Sequence, residues 1–259
     1  MKYVKRLTTS VLLLSGNFVF AQTTSVSGSS DIDSKQIRFG VYVAPTMSWM
    51  KPTTAKTGDG SYAPKSNGSK IGFTYGVMAE YRFADNYAIV TGLQVNMTGG
   101  KIISDYQGTA TTKVVTHSDF NYRLNYLEVP AALKLRTDII AGFRFFGQLG
   151  ITTGFNIAKK GTYTVDYTDD MGNKKTATGN NEKIKGTLAI APVMFSMNIG
   201  AGLEYPLNQK LAAYGGIFFN NGFAPDATNP GKYDMAYDLP FQDANTRLNN
   251  FALRIGLFF

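Results

Sequence analysis

The sequence predicts an all-β protein, an eight-stranded antiparallel up-and-down transmembrane β-barrel that occupies residues 37–259. Three observations support this prediction. Bulky apolar residues alternate with small or polar residues in eight segments, short and long connections follow each other in turn, and the small-residue rows hold glycines and few charges. The composition agrees, because 27 Gly, 15 Tyr and 18 Phe suit β-strands and their turns. The chain has no Cys, which excludes disulfides and zinc–thiolate sites.

Residues 1–21 have the pattern of a secretory signal peptide. A basic start, Lys2 to Arg6, is followed by an apolar run at residues 11–20 and by small residues just before Gln22. The apolar run is shorter than the ~20 residues that a spanning helix needs, which argues against a membrane anchor. After cleavage the chain begins with the polar residues 22–36, which we expect to form a flexible periplasmic segment.

The charge balance argues against nucleic acid as a partner. Cleavage removes three of the 26 Lys and Arg residues and no acidic residue, which leaves 23 basic against 18 acidic residues and a net charge of +5. This charge is dispersed along the chain, and an exported protein seldom meets DNA or RNA. No other segment is continuously apolar over the length of a membrane helix, so any insertion must use strands.

The clearest segments form a hairpin of two long strands, Ile71–Phe83 and Tyr87–Met97, joined by the turn Ala84–Asn86. In both strands every second residue is mostly bulky and apolar. Six further segments complete the count of eight: residues 39–43, 127–135, 143–151, 193–205, 210–223 and 251–259. The segment at 210–223 alternates poorly, and the sequence leaves open which of its faces points outward.

The connections between these segments alternate in length. Short turns are expected near residues 84–86, 137–142 and 206–209. Long, polar, Gly-rich and Lys-rich loops are expected near residues 50–69, 99–118, 156–185 and 224–247. Alternation of this kind places all long loops at one end of a meander, which is typical of outer-membrane barrels with short periplasmic turns and long outer loops.

The direction of the bulky rows separates a membrane barrel from a water-soluble one such as a lipocalin. A solvated exterior would need many charges, whereas the polar rows here carry glycines and few charges, so we expect lipid to contact the bulky rows. Aromatic residues near both strand ends are expected to form the girdles at the two membrane boundaries. The principal girdle residues are Trp49, Tyr81, Phe83, Tyr87, Phe143 and Tyr205, and Phe259 ends the last strand.

The rows that face the lumen contain a set of ionisable residues. Following the alternation, they are Glu80, Arg82, Glu128, Lys134, Arg144, Glu204 and Arg254. A lone charge in a low-dielectric interior is costly, so these residues are expected to pair and to plug a lumen that eight strands leave only wide enough for side chains. A purely structural role and a role in gating or substrate binding both stay open.

Two further expectations concern the strands themselves. Towards the loop end the inward residues are small or neutral, which predicts a shallow wet vestibule open to the outside; they are Thr46, Ser48, Thr74, Asn96, Thr98, Thr152, Ser196 and Asn198. Pro45, Pro130 and Pro192 fall within predicted strands, where proline removes a ladder hydrogen bond. Local β-bulges are expected at these three positions.

The sequence resembles the porin-family, PorT-like outer-membrane β-barrels of Bacteroidota. The resemblance rests on the signal peptide ending FAQ, on NYLEVPAALKLR (Asn125–Arg136), on SMNIGAGLEYPL (Ser196–Leu207) and on the final Phe259. It covers most of the chain after Arg38 but not the long loops. It implies an outer-membrane location, eight strands, and recognition of Phe259 by the barrel-assembly machinery. PorT is a component of a gliding-linked secretion system, which makes an envelope secretion partner an expectation.

Candidate reactive or ligand-binding groups are few. The single histidine, His117, is followed by Ser118, but adjacent strand residues point to opposite faces and cannot act as base and nucleophile. A group of three acids, Asp166, Asp169 and Asp170, lacks the ligand spacing of an EF-hand and predicts a hydrated turn. Six lysines of the same loop could contact lipopolysaccharide phosphates or serve solubility alone. They are Lys159, Lys160, Lys174, Lys175, Lys183 and Lys185.

The sequence therefore predicts a monomeric outer-membrane barrel without catalytic residues, metal site or cofactor. Its role would be structural or interaction-based, through the long loops or through a partner in an envelope or secretion assembly. Expected contacts are outer-membrane lipid, lipopolysaccharide and, during insertion, the barrel-assembly machinery. Two alternatives stay open at this point: a narrow porin or small-solute channel, and a lipid-modifying outer-membrane enzyme that would use His117.

Overall fold

The structure, a computed structural model, describes residues 35–53, 55, 60–109, 114–183, 190–223 and 246–259. These residues contain ten β-strands. The strands are β1 (Ile37–Pro52), β2 (Tyr62–Ser66), β3 (Lys70–Ala84), β4 (Tyr87–Tyr106), β5 (Val114–Arg136), β6 (Arg144–Thr168), β7 (Lys174–Lys183), β8 (Val193–Pro206), β9 (Ala212–Gly222) and β10 (Thr246–Phe258). The expected signal peptide and most of the expected periplasmic segment at 22–36 lie outside the described residues.

Eight of these strands close into a ring. Its order is β4, β3, β1, β10, β9, β8, β6 and β5, and β5 pairs with β4 to complete the circle. Every pairing is antiparallel, and the first and last strands meet where β1 pairs Val41 with Leu257 of β10. The predicted eight-stranded antiparallel barrel is confirmed.

The bulky apolar rows point away from the barrel axis. Val41, Val77, Leu133 and Ile255 are between 42% and 57% exposed, and their neighbours along each strand are much less exposed. An apolar surface that extends around the ring in this way is stable only in contact with lipid. Within the described residues, no helix has the length and apolar character of a membrane span.

Three of the four expected long loops contain regular β-structure, which corrects their assignment as loops. Strands β4, β5 and β6 extend beyond the lipid-facing apolar rows. Strand β4 continues to Tyr106, β5 already begins at Val114, and β6 continues to Thr168. Strand β2 pairs with the extended part of β4, and β7 pairs with the extended part of β6. We call this sheet, residues 62–66, 99–106, 114–126 and 156–183, the outer extension. The fourth expected loop, at 224–247, lies almost wholly outside the described residues.

Strand β9 resolves the one orientation that the sequence left open. Its outward row is Ala213, Gly215, Ile217 and Phe219, which pair with the lipid-facing residues Leu257, Ile255, Leu253 and Phe251 of β10. Its inward row includes Tyr214 and Phe218, both buried. The alternation is obscured because β9 places rings on both faces, with Phe218 inside and Phe219 outside.

The expected bulges at the three prolines are absent from the described strands. Pairing between β1 and β10 is interrupted at Pro45 but resumes at Thr46 in the same register, while Pro45 stays paired with Phe73 of β3. Pro130 likewise stays paired with Thr152, and its carbonyl accepts a hydrogen bond from Thr91 Oγ1 at 2.9 Å. Pro192 lies just before β8. Strands β1 and β5 thus each lose ladder bonds on one side of their proline without a shift in register.

Two separate clusters of buried apolar side chains fill the interior. The ring cluster lies at the short-turn end and comprises Tyr42, Ala44, Met78, Phe146, Ala212, Tyr214, Phe218, Ala252 and Phe258. The outer core lies at the long-loop end and comprises Met50, Tyr62, Ile102, Val115, Phe120, Tyr122, Leu124, Tyr126, Tyr163, Val165, Ile190, Met194 and Leu248. A polar layer separates the two clusters, and the candidate site lies beside the ring cluster.

Candidate functional site

Five ionisable residues from four strands meet inside the short-turn end of the barrel. We call Arg38, Glu80, Lys134, Arg136 and Glu204 the ion cluster. Arg38 is fully buried and lies between the two carboxylates. Its Nε donates to Glu80 Oε1 at 2.9 Å, and its Nη2 donates to Glu204 Oε1 and Oε2 at 2.7 and 2.6 Å. Charge-assisted bonds of this length offset part of the cost of removing three charges from water.

Lys134 and Arg136 complete the ion cluster from β5. Lys134 Nζ donates to Glu80 Oε2 at 2.8 Å and also to Glu204 Oε1. Arg136 Nη1 lies 3.9 Å from Glu80 and 3.7 Å from Glu204. Three cations therefore surround two carboxylates, so the cluster carries a formal charge of +1.

Aromatic rings of the ring cluster pack against these cations. The Arg38 guanidinium carbon lies 3.9 Å from the Phe258 ring centroid, and Lys134 Nζ lies 4.5 Å from the Phe146 centroid. A further cation, Arg254, lies between Tyr42 and Phe218, at 4.3 and 4.1 Å from their ring centroids. Ring faces attract cations, and more strongly in a site without water, so they offset the surplus positive charge.

The glycines of the lumen rows provide the space for these rings. A Cβ added at Gly200 would overlap the Phe218 ring, and one added at Gly202 would lie 2.7 Å from Phe146 Cζ. Each small residue thus lies beside a large one on the neighbouring strand, and the rings fill the cross-section of a narrow barrel. The alternation in the sequence predicts the lumen position of these glycines but not that of the rings.

The predicted set of seven lumen charges is only partly brought together. Glu80, Lys134 and Glu204 meet in the ion cluster, whereas Arg254 is held by rings. Arg82 and Arg144 are half-buried near the short turns, where Arg144 Nη1 donates to the Thr137 carbonyl at 3.2 Å.

Two central members, Arg38 and Arg136, are missing from the predicted set. A signal for both was present in the sequence. The alternation that places Phe39 and Leu135 outward places Arg38 and Arg136 inward when it is continued by one residue.

Glu128 lies apart from the ion cluster and is held by amides. Asn96 Nδ2 donates to Glu128 Oε1 at 2.7 Å, and Gln94 Nε2 donates to Glu128 Oε2. Tyr42 in turn donates its hydroxyl to Gln94 Oε1. On the opposite wall an amide ladder crosses four strands, from Gln148 to Asn198 at 3.0 Å, to Asn220 at 2.6 Å and to Asn250 at 2.8 Å. Through these hydrogen bonds the amide and carboxylate side chains of the middle layer find their partners within the lumen.

The expected wet vestibule open to the outside is wrong. All eight residues that were expected to line it are at most 4% exposed: Thr46, Ser48, Thr74, Asn96, Thr98, Thr152, Ser196 and Asn198. The outer core lies at the same end of the barrel, with Met50, Tyr126 and Leu248 all buried. The vestibule was expected because the apolar residues that close this end belong to strands that the sequence predicts as loops.

His117 pairs with a carboxylate but not with a nucleophile. Its Nδ1 lies 2.6 Å from Asp105 Oδ1 on the neighbouring strand β4, and both side chains are about 40% exposed. Ser118 is fully buried on the opposite face of β5, as the alternation predicts. The group is therefore an exposed cross-strand pair on the outer extension.

Asp169 organises the tight turn between β6 and β7. Its Oδ1 accepts hydrogen bonds from the backbone N–H groups of Met171 and Asn173, both at 2.9 Å, and its Oδ2 lies 2.9 Å from Lys175 Nζ. Lys175 and the Asn173 amide hold the pKa of Asp169 at about 2, below its ordinary value. Asp169 accepts these bonds as part of a structured turn.

The predicted girdle residues lie on the outside of the barrel. Tyr81, Phe83, Tyr87, Phe143 and Tyr205 are exposed near the short turns. Trp49 lies near the opposite end and contacts Phe251, with ring centroids 5.5 Å apart. Phe259 is 50% exposed, and its backbone N–H donates to the Phe39 carbonyl at 2.8 Å, so the last residue is tied to the first strand.

The family model for the outer membrane protein beta-barrel domain matches residues 20–223. Among solved structures, Neisserial surface protein A is 12% identical, with a TM-score of 0.40, 86% of this chain covered and 96% of that chain. Outer membrane protein OprG from Pseudomonas aeruginosa is 13% identical (TM-score 0.38; 88% and 99% covered), and the Escherichia coli outer membrane protease OmpT is 10% identical (0.34; 91% and 99%). No curated protein matches the sequence.

Proposed function

We propose that this chain, which belongs to the outer membrane protein β-barrel domain family, is a sealed, non-enzymatic membrane anchor whose outer extension binds another component of the cell envelope. The observation that carries the proposal is the filled lumen. The ion cluster and the ring cluster occupy the short-turn end, amides occupy the middle, and the outer core occupies the long-loop end. Because these layers leave no continuous polar path through the described part of the barrel, we place the functional surface outside the membrane.

The filled lumen argues against the alternative of a narrow channel. Solutes would have to displace Arg38 from two carboxylates and pass the Phe146, Phe218 and Phe258 rings. Reconstituted protein in planar bilayers is expected to give no steady conductance, and proteoliposomes are expected not to swell in small sugars. Steady, large single-channel steps would overturn the proposal in favour of a channel.

The outer extension is a regular sheet with a buried core of its own, which supports an interaction role. Its sheet of β2, β4, β5, β6 and β7 has its own buried core, in which Phe120 packs against Tyr122 and Tyr163 with ring centroids 5.7 and 5.6 Å apart. Its exterior carries polar residues such as Thr162 and Thr164. A rigid polar sheet presents side chains in fixed positions, which suits recognition of a partner.

The resemblance to PorT-like barrels supports a partner in an envelope or secretion assembly. Photo-crosslinking side chains placed at Thr164 and Thr178, both exposed on the outer extension, are expected to give a discrete product in intact cells. The matched control is Leu207, which is exposed in the short turn between β8 and β9. A product at Leu207 and none at the outer positions would refute binding through the extension.

The proposal also excludes a lipid-modifying activity. His117 contacts Asp105, and its neighbour Ser118 is buried on the other face, so base and nucleophile do not meet. Replacement of His117 by Ala is expected to leave the acylation pattern of membrane lipids unchanged in cells that produce the protein. A change in that pattern that requires His117 would overturn this part of the proposal.

A further inference from the structure

Four cations lie together on the outside of the barrel, directly beyond the apolar belt. We call Lys70, Lys101, Arg123 and Lys160 the basic rim. Arg123 of β5 pairs in register with Lys160 of β6. Two residues earlier on the same face of β5, Asn121 pairs with Lys101 of β4. The basic rim therefore spans three adjacent strands at one height.

Lys70 reaches the basic rim from the end of β3 by crossing Gly99. A Cβ added at Gly99 would lie 3.2 Å from Lys70 Cδ, so the glycine leaves the path open. Beyond it, Lys70 Nζ donates to Asn121 Oδ1 at 2.9 Å and to the Tyr122 carbonyl at 2.8 Å. Two neutral acceptors hold the ammonium in place but leave its charge uncompensated.

The positive charge of the basic rim is not balanced by acids in the described part of the chain. There, no carboxylate lies within 4 Å of any of its four cations. The two nearby acids bind elsewhere, Asp119 to Asn67 at 3.2 Å and Glu182 to the Tyr163 hydroxyl at 3.3 Å. Burial lowers the pKa of Lys70 to about 8, with the charges of Arg123 and Lys101 acting in the same direction.

The surface below the basic rim is apolar. Ile71 is 85% exposed beside Lys70, Phe155 and Ile157 are about half exposed below Lys160, and Met97 lies below Lys101. A ligand that contacts both the basic rim and the apolar surface below it needs an anionic head group and acyl chains. A small cleft of about 190 Å³, lined by Lys101, Asn121 and Thr162 and on one side by Asp119, lies at the level of the head.

We propose that the basic rim binds the phosphate groups of an outer-leaflet glycolipid, whose acyl chains lie on the apolar surface below. The long-loop end faces outside in barrels of this kind, so the basic rim lies at the level of the outer-leaflet head groups. Cations at a membrane surface attract anionic lipid, each contributing about 1 kcal/mol. A free phosphate would use the head contacts alone, whereas a glycolipid also places its acyl chains on Ile71 and Ile157, which favours the lipid. This inference is independent of the sealed lumen.

The test compares two triple variants of the full chain in detergent. K70Q/K101Q/R123Q removes three charges of the basic rim, and K35Q/K174Q/K210Q removes three charges elsewhere, of which Lys35 is half-buried and Lys174 and Lys210 are exposed. Binding of bisphosphorylated lipid A is measured by native mass spectrometry, with its dephosphorylated form and inorganic phosphate as further probes. The basic-rim variant is expected to bind bisphosphorylated lipid A on the order of a hundredfold more weakly than the wild type, and the control variant equally well.

Three outcomes would overturn the proposal: equal binding by wild type and basic-rim variant, equal loss in both variants, or displacement of lipid A by inorganic phosphate at comparable concentration. A second readout does not depend on the variants. Lys70, followed by NMR of a ¹³C-labelled lysine side chain, is expected to titrate near pH 8 without lipid and at higher pH once phosphate is bound. An unchanged titration in saturating lipid A would also refute the site.

Discussion

Strand β5 passes through two environments, and its alternation reverses between them. From Leu127 to Leu135 the outward residues are apolar and the inward residues include Glu128 and Lys134. From Asp119 to Asn125 the outward residues are polar, while the inward residues Phe120, Tyr122 and Leu124 are apolar and buried. The strand keeps the same face inward throughout, so the reversal records a change of the outer solvent from lipid to water.

The two halves of the interior differ for the same reason. Within the membrane the outward row supplies the apolar surface, and the lumen can carry charges provided they find partners inside. Beyond the membrane the outward row must be polar, so the sheet needs an apolar core inside, as any sheet in water does. We therefore expect defects in the ion cluster to affect the whole barrel and defects in the outer core to stay local.

The largest expected effect is from Glu204→Gln in the ion cluster. It removes the carboxylate that Arg38 and Lys134 share and leaves buried cations with one acid, so the free energy of unfolding in lipid vesicles should fall by about 3–5 kcal/mol. Asp85→Asn, at an exposed position in the short β3–β4 turn, is the matched control and should change it little. Equal effects of the two substitutions would contradict a central role of the ion cluster.

Phe120→Ala should separate the two regions. Removing this buried ring from the outer core should destabilise the outer extension by about 3 kcal/mol while the barrel stays folded. Limited proteolysis should then cut within residues 99–126 or 156–183, and the heat-dependent gel shift of the intact barrel should persist. Phe223→Ala, at an exposed position of the same end, is the control. Loss of the gel shift in Phe120→Ala would show that the two regions unfold together.

Gly200→Ala tests the fit between glycines and rings inside the membrane. The added methyl group would overlap Phe218, and shifting that ring should cost about 1–3 kcal/mol of unfolding free energy. Gly147→Ala is the control, because no atom lies within 4 Å of the added Cβ, and it should change stability by less than about 0.5 kcal/mol. Equal costs at the two positions would indicate a general strand effect instead of ring packing.

The smallest expected effect is a local response of the outer extension to acid. Because the folded pKa of Asp169 is about 2 and its unfolded pKa is about 3.9, its contribution is complete above the unfolded value and lost as the pH falls towards 2. The protection factors of the Met171 and Asn173 amides, measured by hydrogen exchange and corrected for the intrinsic rate at each pH, should therefore fall from about pH 4 to pH 2. In Asp169→Asn this pH dependence should disappear, and its persistence would assign it to another group.

Much of the barrel could be read from local patterns. A two-residue alternation is a property of each strand by itself, so the rows Ile71–Phe83 and Tyr87–Met97 identify both the strands and their lipid-facing sides. The same reasoning failed at residues 99–118, because there the apolar residues of the extended strands lie on the inward row. It also failed for β9, where Phe218 and Phe219 are adjacent and the alternation is masked.

The composition of the candidate site depended on how distant strands meet. Arg38 of β1, Glu80 of β3, Lys134 of β5 and Glu204 of β8 come together only because the ring closes in one register, and β1 and β8 face each other across the lumen without being neighbours. For the same reason Arg254 lies between the rings of Tyr42 and Phe218, outside the ion cluster.

The amino-acid sequence by itself determined the eight-stranded ring and its lipid-facing surface, since each follows from solvent acting on single strands. The tertiary structure alone decided which charges pair, how the lumen is filled and where the outer extension begins. Those features depend on inter-strand register and ring closure, which bring together residues as far apart in sequence as Arg38 and Glu204.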